Sequence, residues 1–310
     1  MNTNIKRRCI FVGLPDSGKS SFIGALWHVL KSKEVDIELS IVVQPADREY
    51  LNDLEDAWLK CKSPGRTTTD LFKEVELDVS IKNNGNTMTF IFPDVSGEMY
   101  RSQFENRKLS ELYNEQITVT NGLFLFINPD FLIRPVLIND AAWVLNKLVF
   151  QSRMNQNNGL VDAKEVSDLI KRDNKSQKGN GAIWQAKMAQ TQLVLVDLLQ
   201  MIASKVLSPC RVCVIVSAWD EIINLPDHDY SALEPQQWVG KELPFLMQYL
   251  QANEALFQCN FFGVSAQGGN YSNDIDKLNR FEIQSQRIIV QNKNIRTNDI
   301  TLPIKWIVNG

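Results

Sequence analysis

Residues Gly13-Leu14-Pro15-Asp16-Ser17-Gly18-Lys19-Ser20 carry the clearest chemistry in this 310-residue chain. They fit G-x-x-x-x-G-K-[ST] in full, and each part answers a need of a bound polyphosphate. The glycines let the backbone curl so that its N–H groups point at phosphate oxygens. A helix opening near Lys19 adds the positive end of its dipole. The Lys19 ammonium neutralises the outer phosphates, and the Ser20 hydroxyl is a ligand for Mg²⁺. Ser21 offers a hydroxyl near the α-phosphate. Gly13, Asp16, Ser17, Gly18, Lys19, Ser20 and Ser21 are therefore the candidate phosphate-binding set. A Gly/Ser-rich loop can match so short a pattern by chance, so context decides. Cys9-Ile10-Phe11-Val12 before it read as a buried strand, and Phe22, Ile23, Leu26, Trp27 and Leu30 after it have helical spacing.

Three further motifs follow in order. Asp94-Val95-Ser96-Gly97 ends the strand-like run Thr87 to Phe92. An acidic residue there can hold Mg²⁺ through water, and the Gly97 N–H can meet a γ-phosphate. Ser217-Ala218-Trp219-Asp220 follows the apolar run Val212 to Val216, and Ser265-Ala266 follows Phe261 to Val264. Each is weak alone. All of them fall at the carboxyl ends of expected strands, the edge at which open α/β sheets bind ligands.

The elements that must position these residues are legible in outline. Helical patterns run from Lys19 to Leu30 and from Asp47 to Cys61, where Leu51, Leu54, Trp58 and Leu59 recur on one face. Phe72 to Ile81 and Met88 to Phe92 alternate around Asn83-Asn84-Gly85-Asn86, which reads as an antiparallel hairpin. A polar helical segment spans about 100–118, and Gly122 to Ile127 is an apolar strand. Helical patterns recur near 137–151, 182–206 and 238–256. The expected fold is a three-layer α/β domain with a mostly parallel sheet and one antiparallel hairpin. It covers 1–310 as a single domain, with a helical insertion at 130–209.

This set of motifs resembles the P-loop GTPases of the translation-factor and Ras-like class. There the strand before D-x-x-G pairs antiparallel with its predecessor, as the hairpin suggests here. The resemblance implies GTP/GDP and Mg²⁺ as ligands. Ser217-Ala218-Trp219-Asp220 is similar to the family's [NT]-K-x-D. Asp220 would accept hydrogen bonds from the guanine ring N–H and exocyclic amine, and Trp219 beside it is placed to flank the base. Ser265-Ala266 resembles the family's S-A-K loop, where the Ala266 N–H would meet the guanine oxygen. Ser217 replaces the usual Asn or Thr, and Ala218 removes the lysine stem that covers the base. The S-A-W-D form, the Arg66-Thr67-Thr68-Thr69 run and the Pro303-Ile304-Lys305-Trp306 ending resemble, more narrowly, the double-GTPases of bacterial conflict-system gene clusters.

The resemblance also implies switch residues. Thr68 or Thr69 would bind Mg²⁺ beside Ser20 and Asp94. Arg66 stands three residues before Thr69, the spacing of an in-cis arginine finger. Glu98 follows Gly97, where many relatives carry the glutamine that orients water. A carboxylate accepts a hydrogen bond from water but donates none to the transition state, so turnover would be slow or partner-dependent. Arg101 and Arg107 read as a solvated helix face.

Composition narrows the field. With 33 basic against 36 acidic residues, net charge −3, nothing points to a nucleic-acid surface. No apolar run is long enough to span a bilayer, and Met1 to Arg8 do not read as a signal peptide. Five scattered cysteines suit a reducing, cytoplasmic setting. Cys210-x-x-Cys213 lacks the second pair a zinc site needs, so it reads as strand core, and His28 reads as packed. The expectation is a GTP-hydrolysing switch for a protein partner. The rivals are an ATP-using P-loop enzyme and a nucleotide-binding scaffold that does not turn over. Arg66→Ala is expected to slow single-turnover hydrolysis, and an unchanged rate would remove the finger role.

Overall fold

The computed structural model describes residues 6–45, 48–62, 74–82, 87–93, 97–109, 111–135, 188–206 and 209–309. The chain separates into one unit of Met1–Leu132 with Thr191–Gly310 and a second of Ile133–Gln190. The helical pattern at 137–151 and the Asn83–Asn86 turn lie outside the described residues.

The first unit is built on a sheet of β1 (Lys6–Val12), β2 (Leu39–Val43), β3 (Glu74–Ile81), β4 (Thr87–Pro93), β5 (Gly122–Ile127), β6 (Cys210–Ser217), β7 (Phe257–Ser265), β8 (Ile289–Asn292) and β9 (Ile295–Thr297). Their order is β2-β3-β4-β1-β5-β6-β7-β8-β9. The five central strands, β4 to β7 in that order, are parallel. Such strands are covered on both faces, which is why β5 reads Gly-Leu-Phe-Leu-Phe-Ile and is buried throughout. The expected hairpin is present: β3 pairs antiparallel with β4, from Glu74 opposite Pro93 to Ser80 opposite Thr87.

The helices are α1 (Lys19–Ser32), α2 (Arg48–Leu59), α3 (Gly97–Asn106), α4 (Glu111–Thr118), α5 (Thr191–Ala203), α6 (Trp219–Ile223), α7 (His228–Ser231), α8 (Pro235–Glu242), α9 (Pro244–Ala252), α10 (Ile275–Leu278) and α11 (Leu302–Val308). One core joins α1, α2 and α11 to alternate strand residues such as Cys9, Phe11, Phe124 and Phe126. The intervening Ile10 and Val12 are equally buried on the other face. The aromatic knot below the β1–α1 turn is dense. Phe11 lies 5.7 Å from Phe22, 4.8 Å from Phe124 and 5.2 Å from Phe126, ring centre to ring centre. It fixes the angle at which the strand hands over to the helix.

The structure departs from the sequence pattern at definite residues. The segment 100–118 is two helices, because Arg107 takes a left-handed φ of 55° and ends the first. Pro244 divides the expected helix at 238–256, since it cannot donate into a continuing ladder. Strand β2 adds an antiparallel edge beyond β3, and β8 and β9 add another beyond β7. The β8–β9 loop is Lys293-Asn294, with Lys293 at φ 50°, and carries none of the usual Asn-Gly signal. Helix α5 belongs to the first unit. Its Asp197 pairs with Arg107, so that arginine is not merely solvated. Cys210 and Cys213 are buried in β6, as core, and burial pushes the Cys210 thiol up to about 12. Among the described residues, no helix is long and apolar enough to cross a membrane.

Helix α2 packs on α1 at close range. A Cβ at Gly24 would stand 2.6 Å from the Leu54 carbonyl oxygen. Gly24→Ala is therefore expected to destabilise the fold by about 1–3 kcal/mol through overpacking. At Gly240, inside α8, the nearest atom to such a Cβ is 3.9 Å away. Gly240→Ala is expected to stabilise by about 0.5–1 kcal/mol. Urea midpoints of the two variants against the parent chain check both signs.

Candidate nucleotide site

The turn from β1 to α1 is held in its curl by crowding and by hydrogen bonds. Gly18 has φ +89°, and a Cβ there would lie 2.7 Å from the Ser217 Cβ. A Cβ at Gly13 would lie 2.6 Å from the Ser17 hydroxyl. Asp16 is left-handed too, at φ 59°, a region that aspartate tolerates. The Ser217 hydroxyl donates to the Ser17 carbonyl at 2.8 Å, with the Ile127 carbonyl at 3.1 Å. The Asn128 amide donates to the Asp16 carbonyl at 2.8 Å. The ends of β5 and β6 thus brace the loop.

Lys19 lies across this loop. Its ammonium donates to the Gly13 carbonyl at 2.6 Å, the Leu14 carbonyl at 3.1 Å and the Ser17 hydroxyl at 3.0 Å. It also stands 5.7 Å from the centre of the Tyr100 ring in α3, whose hydroxyl donates to the Phe11 carbonyl at 2.9 Å. Burial lowers its pKa to about 7, partly offset by the nearby Asp16 carboxylate. A loop of this shape, with glycines where a side chain would collide with the loop or its supports and a lysine across it, suits a polyphosphate.

The far end of the site is acidic. Asp220 is 5% exposed and is bonded to the Ser265 hydroxyl. Burial holds its pKa above the usual carboxylate range, and Asp274 and Asp130 push the same way. Ser265 accepts the Gly268 N–H at 2.8 Å. The Ala266 carbonyl accepts the Trp58 indole N–H at 2.6 Å. Gln267 donates to Ser21 at 2.9 Å, tying this loop to the first turns of α1. The fold therefore gathers the phosphate loop, Ser217, Asp220 and Ser265-Ala266 along one sheet edge.

One sequence expectation changes. Trp219 does not flank a base: it is fully buried, and its indole N–H donates to Gln291 of β8 at 3.0 Å. Its ring packs so tightly on Gly263 that any Cβ there would collide. Ser217 supports the phosphate loop with its hydroxyl. Gly97 and Glu98 open α3. Arg66, Thr68, Thr69 and Asp94 lie outside the described residues. Of the proposed Mg²⁺ ligands, Ser20 is described, in the first turn of α1. Among the described residues, no group of His, Cys, Asp and Glu could by itself hold a metal.

Sequence reading missed Asn128 and Gln267. Both carry the signal used for the other motifs, a polar residue at or just beyond the end of an apolar strand. Tyr100 and Trp58 carry no such local signal. Because Lys19 titrates near neutrality, an anion that needs its charge draws a proton with it. GDP binding at pH 8 is expected to take up close to one proton, and at pH 6 close to none from this group. Binding enthalpies in buffers of different ionisation heat measure the uptake, and Lys19→Met should abolish it.

No curated protein matches the sequence. Two solved structures are similar in part. The bacterial selenocysteine-specific elongation factor EF-Sec has a TM-score of 0.35 at 10% identity, over 88% of this chain and 28% of that one. The S. cerevisiae Ski7 GTPase-like domain, bound to GTP, has a TM-score of 0.38 at 14% identity, over 86% of this chain and 44% of that one. This chain thus spans less than half of either. The family described as Double-GTPase 1 matches residues 10–307, nearly the whole length, and the chain belongs to that family.

Proposed function

We propose that the protein binds GTP with Mg²⁺, hydrolyses it to GDP, and acts as a nucleotide-dependent switch for a protein partner in the cytoplasm. Its family membership supports GTP binding. The observation that carries the base assignment is Asp220, buried and bonded to Ser265, on the same sheet edge as the phosphate loop. A buried carboxylate pair of acceptors matches the adjacent donors of guanine and is left unpaired by adenine.

In this reading the chain acts by position and charge. Backbone N–H groups of 13–20 and the Lys19 ammonium stabilise charge on the transferring phosphoryl. Ser20, with Asp94 and Thr68 or Thr69, would hold Mg²⁺, which would supply charge neutralisation at the phosphates. Glu98 orients water, and Arg66 supplies a further positive charge. The γ-phosphate orders 63–70 and 97–108, and its loss relaxes them. Residues 1–310 serve one nucleotide-binding domain, with 130–209 as an insertion that contributes a partner surface or a lid.

Helix α3 supports a partner role. Gln103 is 2% exposed, and among the described residues neither amide atom has a hydrogen-bond partner. It lines a cavity of 460 Å³ together with Met99, Ser102, Asn106, Lys108 and Leu109. The exposed Ser102, Asn106 and Lys108 at its rim are the groups a docked protein would meet. The conflict-system setting rests on the narrower double-GTPase resemblance. A second reading, a scaffold without turnover, is favoured by the glutamate at position 98.

GTP is expected to bind at least tenfold more tightly than ATP, with the preference lost in Asp220→Ala. Equal affinities would overturn the base assignment. Single-turnover hydrolysis with and without partner lysate separates the switch from the scaffold, since a scaffold shows none in either.

A further inference from the structure

Helix α2 reaches the base end of the site through one side chain. Trp58 is 1% exposed, and its indole N–H bonds the Ala266 carbonyl across 208 residues of sequence. Arg287, 2% exposed, lies with its guanidinium carbon 4.0 Å from the centre of the Trp58 ring. Its N–H groups donate to the Trp58 carbonyl and, at 2.9 Å, to the Cys61 sulfur. His28 of α1 packs 5.1 Å from Trp58, ring centre to ring centre. Its imidazole sits 3.0 Å from Glu55 of α2 and 3.2 Å from Glu34. Glu34 in turn accepts the Ser285 N–H and hydroxyl. The ring is thus fixed by α1 on one side and by the 284–287 turn on the other.

That turn meets the base-reading loop a second time. Gly268, at φ +79°, lies so close to the Arg287 carbonyl that a Cβ would collide. Ser265 accepts the Gly268 N–H and bonds Asp220. A continuous line of contacts therefore runs from the Trp58 indole through Ala266 and Ser265 to the Asp220 carboxylate. The indole N–H is more than packing, because it is the donor to a carbonyl one peptide away from the N–H that would meet the base.

We propose that Trp58 is a positioning residue for base selectivity. Its indole N–H orients the 265–268 loop, and through Ser265 it sets the carboxylate of Asp220. The proposal rests on the assignment of Asp220 as the guanine reader. The curl of the phosphate loop is held instead by Ser217 and Asn128, and the one link from the 265–268 loop toward it is the Gln267–Ser21 bond.

Trp58→Phe in the full chain keeps a ring against Arg287 and removes the donor. Affinities for GDP, IDP (which lacks the exocyclic amine), ADP and inorganic triphosphate are measured for both proteins. The variant is expected to lose about tenfold for GDP, less for IDP and ADP, and under twofold for triphosphate. Unchanged GDP:IDP and GDP:ADP ratios would overturn the proposal and leave Trp58 with packing alone. A parent chain with no guanine preference would instead overturn the Asp220 assignment, before any variant is made. Arg287→Met, which frees the ring and the Trp58 carbonyl, should shift the ratios in the same direction. The unmodified chain gives an independent readout. The assigned Trp58 indole N–H resonance should move on adding GDP and stay still on adding triphosphate, and a resonance indifferent to both counts against the role.

Discussion

The site depends on a single close approach, the crossing of the phosphate loop over the end of β6. Gly18 and Ser217 meet there with no room for another atom, and one hydroxyl ties the two backbones together. A loop curled this tightly leaves carbonyls outside the regular ladders, and these need donors of their own. Ser217 and Asn128 supply them at Ser17 and Asp16. The central parallel strands exist, in effect, to deliver those two side chains to the right height.

The resulting site is electrically polar. One end holds Lys19, backbone amides and the start of α1. The other holds Asp220 and Glu221, with Asp130 and Asp274 near enough to push both carboxyls upward. A ligand with a polyanionic tail and a donor-rich head is therefore oriented by the field before it makes contact. In the absence of a covalent step, such preset charge is the chief means by which a protein handles phosphoryl groups.

The β1–α1 turn is legible in the sequence because its constraints are local: two glycines, a lysine and a helix start within eight residues. The central strands were legible because burial on both faces leaves unbroken apolar runs. The edge strands were not. Leu39–Val43 and Ile295–Thr297 are short, half exposed and mixed in character, so neither period nor turn residues mark them. Trp219 was misplaced for a related reason. Adjacency to Asp220 in sequence suggested adjacency to the ligand, but residue 219 opens a helix and turns inward onto β7 and β8. Trp58, read as ordinary helix core, was right as to burial and silent on its partner 208 residues away. A polar group inside a helix that acts through a long-range hydrogen bond, unlike one at a strand end, leaves no trace in local pattern.

The packing of Trp219 on Gly263 has a consequence for how this sequence can drift. The two positions share a volume that admits one large side chain, and the bond from Trp219 to Gln291 ties a third position to the arrangement. A lineage can exchange the tryptophan for a smaller residue and then allow position 263 to grow, but not in the opposite order. The residue between Ala218 and Asp220 is thus free in the motif yet bound in the fold. In aligned relatives, a residue larger than glycine at 263 should occur only where 219 holds something smaller than tryptophan.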